Sequence, residues 1–320
     1  MNSFISLLAE QFEMFVRHRK ACLKWNDVSY GMNLSLFDRH CYECFPNEES
    51  LTQIMVDSWC NQRETESNNS CVSRIYVIVS LVKFLRERDL TDIHGPTVPI
   101  YEKRSYIPHH FTDEELRLFF EACDNYKPRE PRNTFQLNIK YTLPVFFRLL
   151  YSTGMRTTEA RELRRCDVNL VSGVVNIVNT KGYEQHYAVM HDSMTVLMKE
   201  YDSVIDSLYP EREYFFPNGK TGFKSRLWVQ VQFKKLWEQV GATHATAYEL
   251  RHHYAIVNIN KLIDAGMSFK DSLTFLSKSM GHVSIDITAK YYYSLAPVLA
   301  DVIEEQTEAG FNELVPEVEF

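Results

Sequence analysis

The stretch SMGHVSIDITAKYYYS, residues 279–294, ends in three adjacent tyrosines, the first of them nine residues after His282. A phenol becomes a nucleophile once an adjacent group helps remove its proton, but it is also an ordinary packing group. Three other stretches carry side chains of comparable potential. In STGMRTTEAREL, Arg156 follows a helix-ending glycine and opens the next helix, where free N–H groups and the positive end of the dipole favour anions. In TKGYEQ, Lys181 stands at the tip of a hairpin, from which an ammonium group can swing toward a ligand. In AYELRHHYA, Arg251 lies early in a helix with Tyr248 one turn before it. Singly, each has a plain structural reading: a solvated arginine, a surface lysine, a satisfied buried histidine, aromatic core. The set points further, because two guanidinium groups, an ammonium, an imidazole and a phenol together combine anion binding with a nucleophile.

The elements that must position these groups follow from the hydrophobic periods. Residues 1 to about 90 read as helices, the clearest over 2–20 and 71–88. The segment TDIHGPTVPIYEKRSYIPHH, 91–110, has three prolines and a glycine and no helical period, so it reads as a linker, with the first domain ending near residue 95. A second domain begins at FTDEEL, where Thr112 and Glu115 form a capping box and Phe111 and Leu116 a hydrophobic staple. The spacing predicts helices over 141–154 and 156–168, a β-hairpin over 173–191 turning at Lys181-Gly182, and an amphipathic, basic helix within 223–241. The fold class is mainly α with a small antiparallel β-sheet. Domains are expected at 1–95, 111–296 and an acidic tail at 297–320, with a linker at 96–110.

Composition constrains the partners less than the motifs do. The 320 residues are 45% hydrophobic and 24% charged, with a net charge of −7. Seven of the acids lie in residues 301–320, which contain no Lys or Arg, and the first 300 residues are formally neutral. Charge therefore neither supports nor excludes a nucleic-acid partner. The seven cysteines, Cys22, Cys41, Cys44, Cys60, Cys71, Cys123 and Cys166, are scattered and odd in number, which fits reduced thiols. Cys41 and Cys44 have metal-like spacing, but no second pair accompanies them, so no metal is expected. The most apolar run, IYVIVSLVKFL, is shorter than the ~20 residues a membrane span needs. No basic-then-apolar signal opens the sequence. A cytoplasmic protein without a membrane partner is expected.

The segments TGMRTTEARELRRCDV, TKG, LRHHYA and GHVSIDITAKY, in this order and spacing, resemble the catalytic domain of the tyrosine recombinase (phage integrase) family over about 112–296. The resemblance implies a helical, DNA-clamping core-binding domain before it. It also implies site-specific DNA cleavage and rejoining through a 3′-phosphotyrosine ester. On that reading Arg156 and Arg251 clamp the phosphate, Lys181 protonates the leaving 5′ oxygen, and His282 hydrogen-bonds the phosphate. Tyr291 is then the nucleophile, since the family places it nine residues after the histidine. Its neighbours on a helix point ~100° away, so only one of the three phenols can face a given phosphate. Glu159 would orient Arg156. The chemistry suits the residue types: guanidinium donors match the charge of a pentacoordinate phosphorane, and the covalent link conserves bond energy, so no cofactor is expected.

Two features set this sequence apart. Tyr248 stands where the family usually has histidine; a phenol can donate to phosphate but is a poor base at neutral pH. The strand after Lys181 lacks the basic residues common there. Residues 295–303 carry an apolar stripe of Leu295, Val298, Leu299, Val302 and Ile303 on an acidic background. The resemblance makes this a helix that docks on a neighbouring subunit. Double-stranded DNA and a homo-oligomer, a dimer on each site and a tetramer in synapsis, or a close homologue, are the implied partners. A type IB topoisomerase and a DNA-binding protein of the same fold with impaired catalysis are the competing readings. The short region before the catalytic segment favours a compact recombinase of a mobile element or plasmid.

Overall fold

The computed structural model describes residues 4–22, 30–102, 108–130, 132–178, 185–241, 243–282 and 284–293, the last four of these for their backbone. The chain divides into two compact units, residues 1–105 and 106–320. No helix among the described residues is long and apolar enough to cross a membrane.

The first unit contains α1 (Ala9–Ala21), α2 (Met32–Cys44), α3 (Gln53–Cys60) and α4 (Asn68–Arg86). The other three pack on α4, whose Val77, Ile78, Leu81 and Leu85 meet Phe12, Phe15, Phe37 and Trp59 in one core. The first helix starts later than its apolar spacing suggests. Asp38 of α2 accepts from the backbone N–H of Ile5 at 2.7 Å and of Ser6 at 3.0 Å, and from the Ser6 hydroxyl at 2.6 Å. A distant carboxylate has thereby captured donors that would have opened the helix, and residues 6–8 form a turn instead. Arg74 of α4, also buried, donates to the carbonyls of Trp59 and Asn61 and pairs with Glu66. That pairing holds the Glu66 carboxyl below the usual carboxylate range and closes the turn between α3 and α4. Residues 91–102 contain no helix or strand, and Asn69 ties them down by exchanging two 2.9 Å hydrogen bonds with the backbone of Glu102.

The second unit holds α5 (Asp113–Asp124), α6 (Thr134–Thr153), α7 (Thr157–Arg161), the strands β1 (Val168–Asn169), β2 (Val174–Ile177) and β3 (His186–Val189), then α8 (Asp192–Leu208), α9 (Arg226–Trp237), α10 (Glu249–Asp264), α11 (Phe269–Ser279) and α12 (Ile285–Tyr293). The Thr112–Glu115 capping box is present, and both staple residues are buried. Packed against α5, α8 and α10, α6 contributes Leu143, Phe146, Phe147 and Leu150 to the main core. It begins at Asn133, whose side chain caps Phe135 and Gln136, well before the apolar run at 141. The strands form one antiparallel sheet in the order β1-β2-β3, with Val174 opposite Val189 and Ile177 opposite His186.

The helix expected over 156–168 is only five residues long. Its continuation is diverted because Arg165 N–H donates to Glu213 O at 2.9 Å and Phe215 N–H to Leu163 O at 2.8 Å. Strand-like pairing with 213–215 takes the backbone groups that a further helical turn would need.

Gly154 ends α6 with φ of +63°. A Cβ at this position would lie 2.3 Å from the Tyr254 ring. Both the left-handed backbone and the close approach require glycine here. Gly154→Ala is expected to lower unfolding stability by about 2 kcal/mol or more. Urea denaturation measures this, and a midpoint equal to that of the native protein would contradict it.

Candidate active site

The turn after Gly154 delivers Arg156 to the start of α7. Glu159, 4% exposed, accepts from the Arg156 backbone N–H at 2.8 Å and from its Nη1. One carboxylate therefore both satisfies an orphan donor at the helix start and aims the guanidinium. The second terminal nitrogen, Nη2, donates to Gly281 O at 3.0 Å.

Arg251 approaches the same segment from α10. It is 1% exposed; its Nη1 donates to Gly154 O, and its Nη2 to Met280 O at 2.8 Å. The two guanidinium groups thus hold the consecutive carbonyls of Met280 and Gly281. His282 follows directly, 6% exposed, with Nε2 at 2.7 Å from Arg251 Nη2 and Nδ1 at 2.8 Å from the Thr288 hydroxyl. Burial, then the positive charges of Arg251 and Arg156, pushes the imidazole down to about 3, so the ring is neutral near pH 7. His252 and His253, two further buried imidazoles of this region, are likewise pushed down to about 4 by burial first.

Gly281 has φ of +60°, and a Cβ there would meet the His186 ring at 2.4 Å. The end strand β3 therefore lies flush against the segment that both arginines hold.

Arg156, Glu159, Arg251 and His282 are brought together around residues 280–282. Tyr248 is the residue before α10, 39% exposed, with its ring 5.7 Å from that of His252 in an edge-on arrangement. Lys181 and the acidic tail at 297–320 lie outside the described residues. Tyr291, Tyr292 and Tyr293 form the last turn of α12, which the backbone describes without their side chains. Sequence reasoning missed Thr288, which is fully buried and bonded to His282, and His186, which packs on Gly281. The available signal for Thr288 was a polar residue on the inner side of an otherwise amphipathic turn; for His186 there was none, since strand pairing alone decides which face it presents.

A mostly helical domain with a small three-stranded antiparallel sheet is the fold of tyrosine recombinase catalytic domains. The XerH site-specific recombinase bound to palindromic difH substrate, in a post-cleavage complex, aligns with a TM-score of 0.62 at 18% identity, covering 88% of this chain and 79% of that one. A λ integrase tetramer bound to a Holliday junction aligns at 0.58 and 14% identity, over 91% and 78%. In sequence, tyrosine recombinase XerC of Oceanobacillus iheyensis is 24% identical over 282 residues, 83% of this chain and 86% of the relative. XerC of Lactobacillus leichmannii is 23% identical over 294 residues, 89% and 93%. The phage integrase family model matches residues 110–297. The chain belongs to the phage integrase family, the tyrosine recombinases, which catalyse DNA cleavage and rejoining.

The buried imidazoles have a consequence for stability. In the unfolded chain a histidine takes up its proton near about pH 6.5; in the fold His282, His252 and His253 resist protonation until about 3 or about 4. Their folded values are depressed, so the stabilisation is full above about 6.5 and is lost as pH falls below it. Between about pH 7.5 and about pH 5.5 each imidazole is expected to cost about 1 kcal/mol of unfolding free energy, discounted for partial solvation. Urea unfolding at the two pH values tests this; a flat or rising stability on acidification would refute it.

Proposed function

We propose that the protein is a site-specific DNA recombinase that works through a 3′-phosphotyrosine intermediate, with Tyr291 as nucleophile. The observation that carries this reading is the meeting of two guanidinium groups and a neutral imidazole on three consecutive residues, 280–282. Such a cluster suits the non-bridging oxygens of a phosphodiester, whose charge grows as phosphorus becomes pentacoordinate.

In this mechanism the Tyr291 oxygen loses its proton to solvent and forms a bond to phosphorus as the bond from phosphorus to the 5′ oxygen breaks. Lys181 gives its proton to that departing oxygen. Arg156 and Arg251 hold the non-bridging oxygens, and Glu159 keeps Arg156 aimed. Tyr248 donates a hydrogen bond to the phosphate. In rejoining, a 5′ hydroxyl attacks the phosphotyrosine and releases the phenol, so the ester energy is retained throughout. Residues 1–95 clamp double-stranded DNA. Two copies occupy each site and four form the synapse, with residues 297–320 docking on a neighbour. The protein acts in the cytoplasm.

A nicked half-site substrate should give a covalent protein–DNA adduct. Tyr291→Phe is expected to abolish that adduct while gel-shift affinity changes by no more than a few-fold. An adduct formed by this variant would move the nucleophile to Tyr292 or Tyr293. Lys181→Ala should slow cleavage by about a hundredfold or more on the natural ester and recover on a 5′-phosphorothiolate, whose sulfur leaves without a proton. Absence of recovery would remove the general-acid role.

A further inference from the structure

The hydrogen-bond pattern around His282 determines which ring nitrogen carries the proton. A guanidinium nitrogen only donates, and Arg251 Nη2 lies 2.7 Å from His282 Nε2. Nε2 must therefore present its lone pair, because a proton on it would set donor against donor. A neutral ring then carries its proton on Nδ1, which faces the Thr288 hydroxyl at 2.8 Å. A hydroxyl oxygen can accept it. Thr288 is fully buried, so water does not compete for this bond.

We infer that Thr288 is a positioning residue: its hydroxyl accepts the Nδ1 proton of His282, fixes the Nδ1–H tautomer, and leaves Nε2 as the lone pair facing the arginine clamp. Thr288 belongs to α12, three residues before Tyr291 in the chain. His282 precedes α12, and the bond to Thr288 ties its ring to that helix. On the reading that Tyr291 is the nucleophile, one helix then carries both the nucleophile and the hydroxyl that orients the imidazole. Any displacement of α12 that withdraws the phenol also withdraws the oxygen that orients the ring. A threonine retained only to fill space would have neither effect, since valine fills the same volume.

The test uses the full-length protein. Long-range 15N–1H correlation of the imidazole side chains, with His282 assigned by loss of its signals in His282→Gln, reads the tautomer without DNA. The native protein should show a protonated nitrogen at Nδ1 and a bare one at Nε2. Thr288→Val should lose this single pattern and form the phosphotyrosine adduct about tenfold more slowly on a nicked half-site, at unchanged gel-shift affinity. Thr288→Ser should restore both. A native ring protonated on Nε2 would overturn the inference. So would a valine variant with native spectrum and rate, or a serine variant as impaired as valine. Because the tautomer is read on the free protein, it decides the role of Thr288 even if the chain forms no adduct with DNA, an outcome that would instead sink the recombinase reading.

Discussion

A guanidinium buried as completely as that of Arg251 has given up its water, and the second unit is arranged around replacing it. Removing a charged group from water costs several kcal/mol unless its donors are met by well-placed acceptors. Here the acceptors are Gly154 O at the end of α6, Met280 O at the end of α11, and the ring of His282. Hydrogen bonds to a charged group contribute roughly 1.5–3 kcal/mol each. One side chain from the start of α10 thereby fastens the ends of two other helices. The geometry reaches both glycines: Gly154 must turn left-handed under the Tyr254 ring to point its carbonyl inward, and Gly281 must do so against His186.

The same arrangement explains the electrostatics. Two guanidinium groups on adjacent carbonyls repel each other, the more so where water is scarce. Glu159 offsets it at Arg156, where it is 4% exposed and pairs with the guanidinium directly. Around Arg251 the fold supplies carbonyl dipoles, and it keeps His282 uncharged instead of adding a third cation. What results is a positively charged cluster in which each guanidinium is met by groups of the chain itself.

How much of this was legible in the sequence depended on whether the cause was local. The capping box at Thr112 and Glu115, the helix end at Gly154 and the antiparallel strands on either side of Lys181-Gly182 are set by neighbours a few residues away, and they stand where the sequence puts them. The late start of α1 and the early end of α7 were not legible, because Asp38 and residues 213–215 act from more than thirty residues off. For Thr288 the sequence offered only a polar residue on the inner side of its turn, and only the fold reveals that its hydroxyl meets His282. Lys224 is a stronger case: a lysine beside a basic helix reads as surface, yet it is fully buried, its ammonium 4.9 Å from the Trp228 ring centroid and pushed down to about 7 by burial. The family motifs were legible because chemistry constrains residue type at each position, whereas packing constrains mainly volume and polarity.

Tyr248 bears on how such a site can move a proton. A phenol keeps its proton at neutral pH, so this side chain offers a donor but not a base. His282 is different, because its neutral ring already has a lone pair, and in the unliganded site that lone pair is occupied by Arg251 Nη2. A phosphate oxygen that draws this Nη2 proton toward itself takes it away from the ring. On the proposed function, binding of the phosphate by Arg251 would compete for the donor that now occupies Nε2, and the anion's charge would raise the ring's affinity for a proton. On that reading, a proton taken from solvent would let the imidazole donate a hydrogen bond to the phosphate. The proposed role of the imidazole toward substrate thus depends on exchange of the hydrogen bond that Arg251 now makes to it.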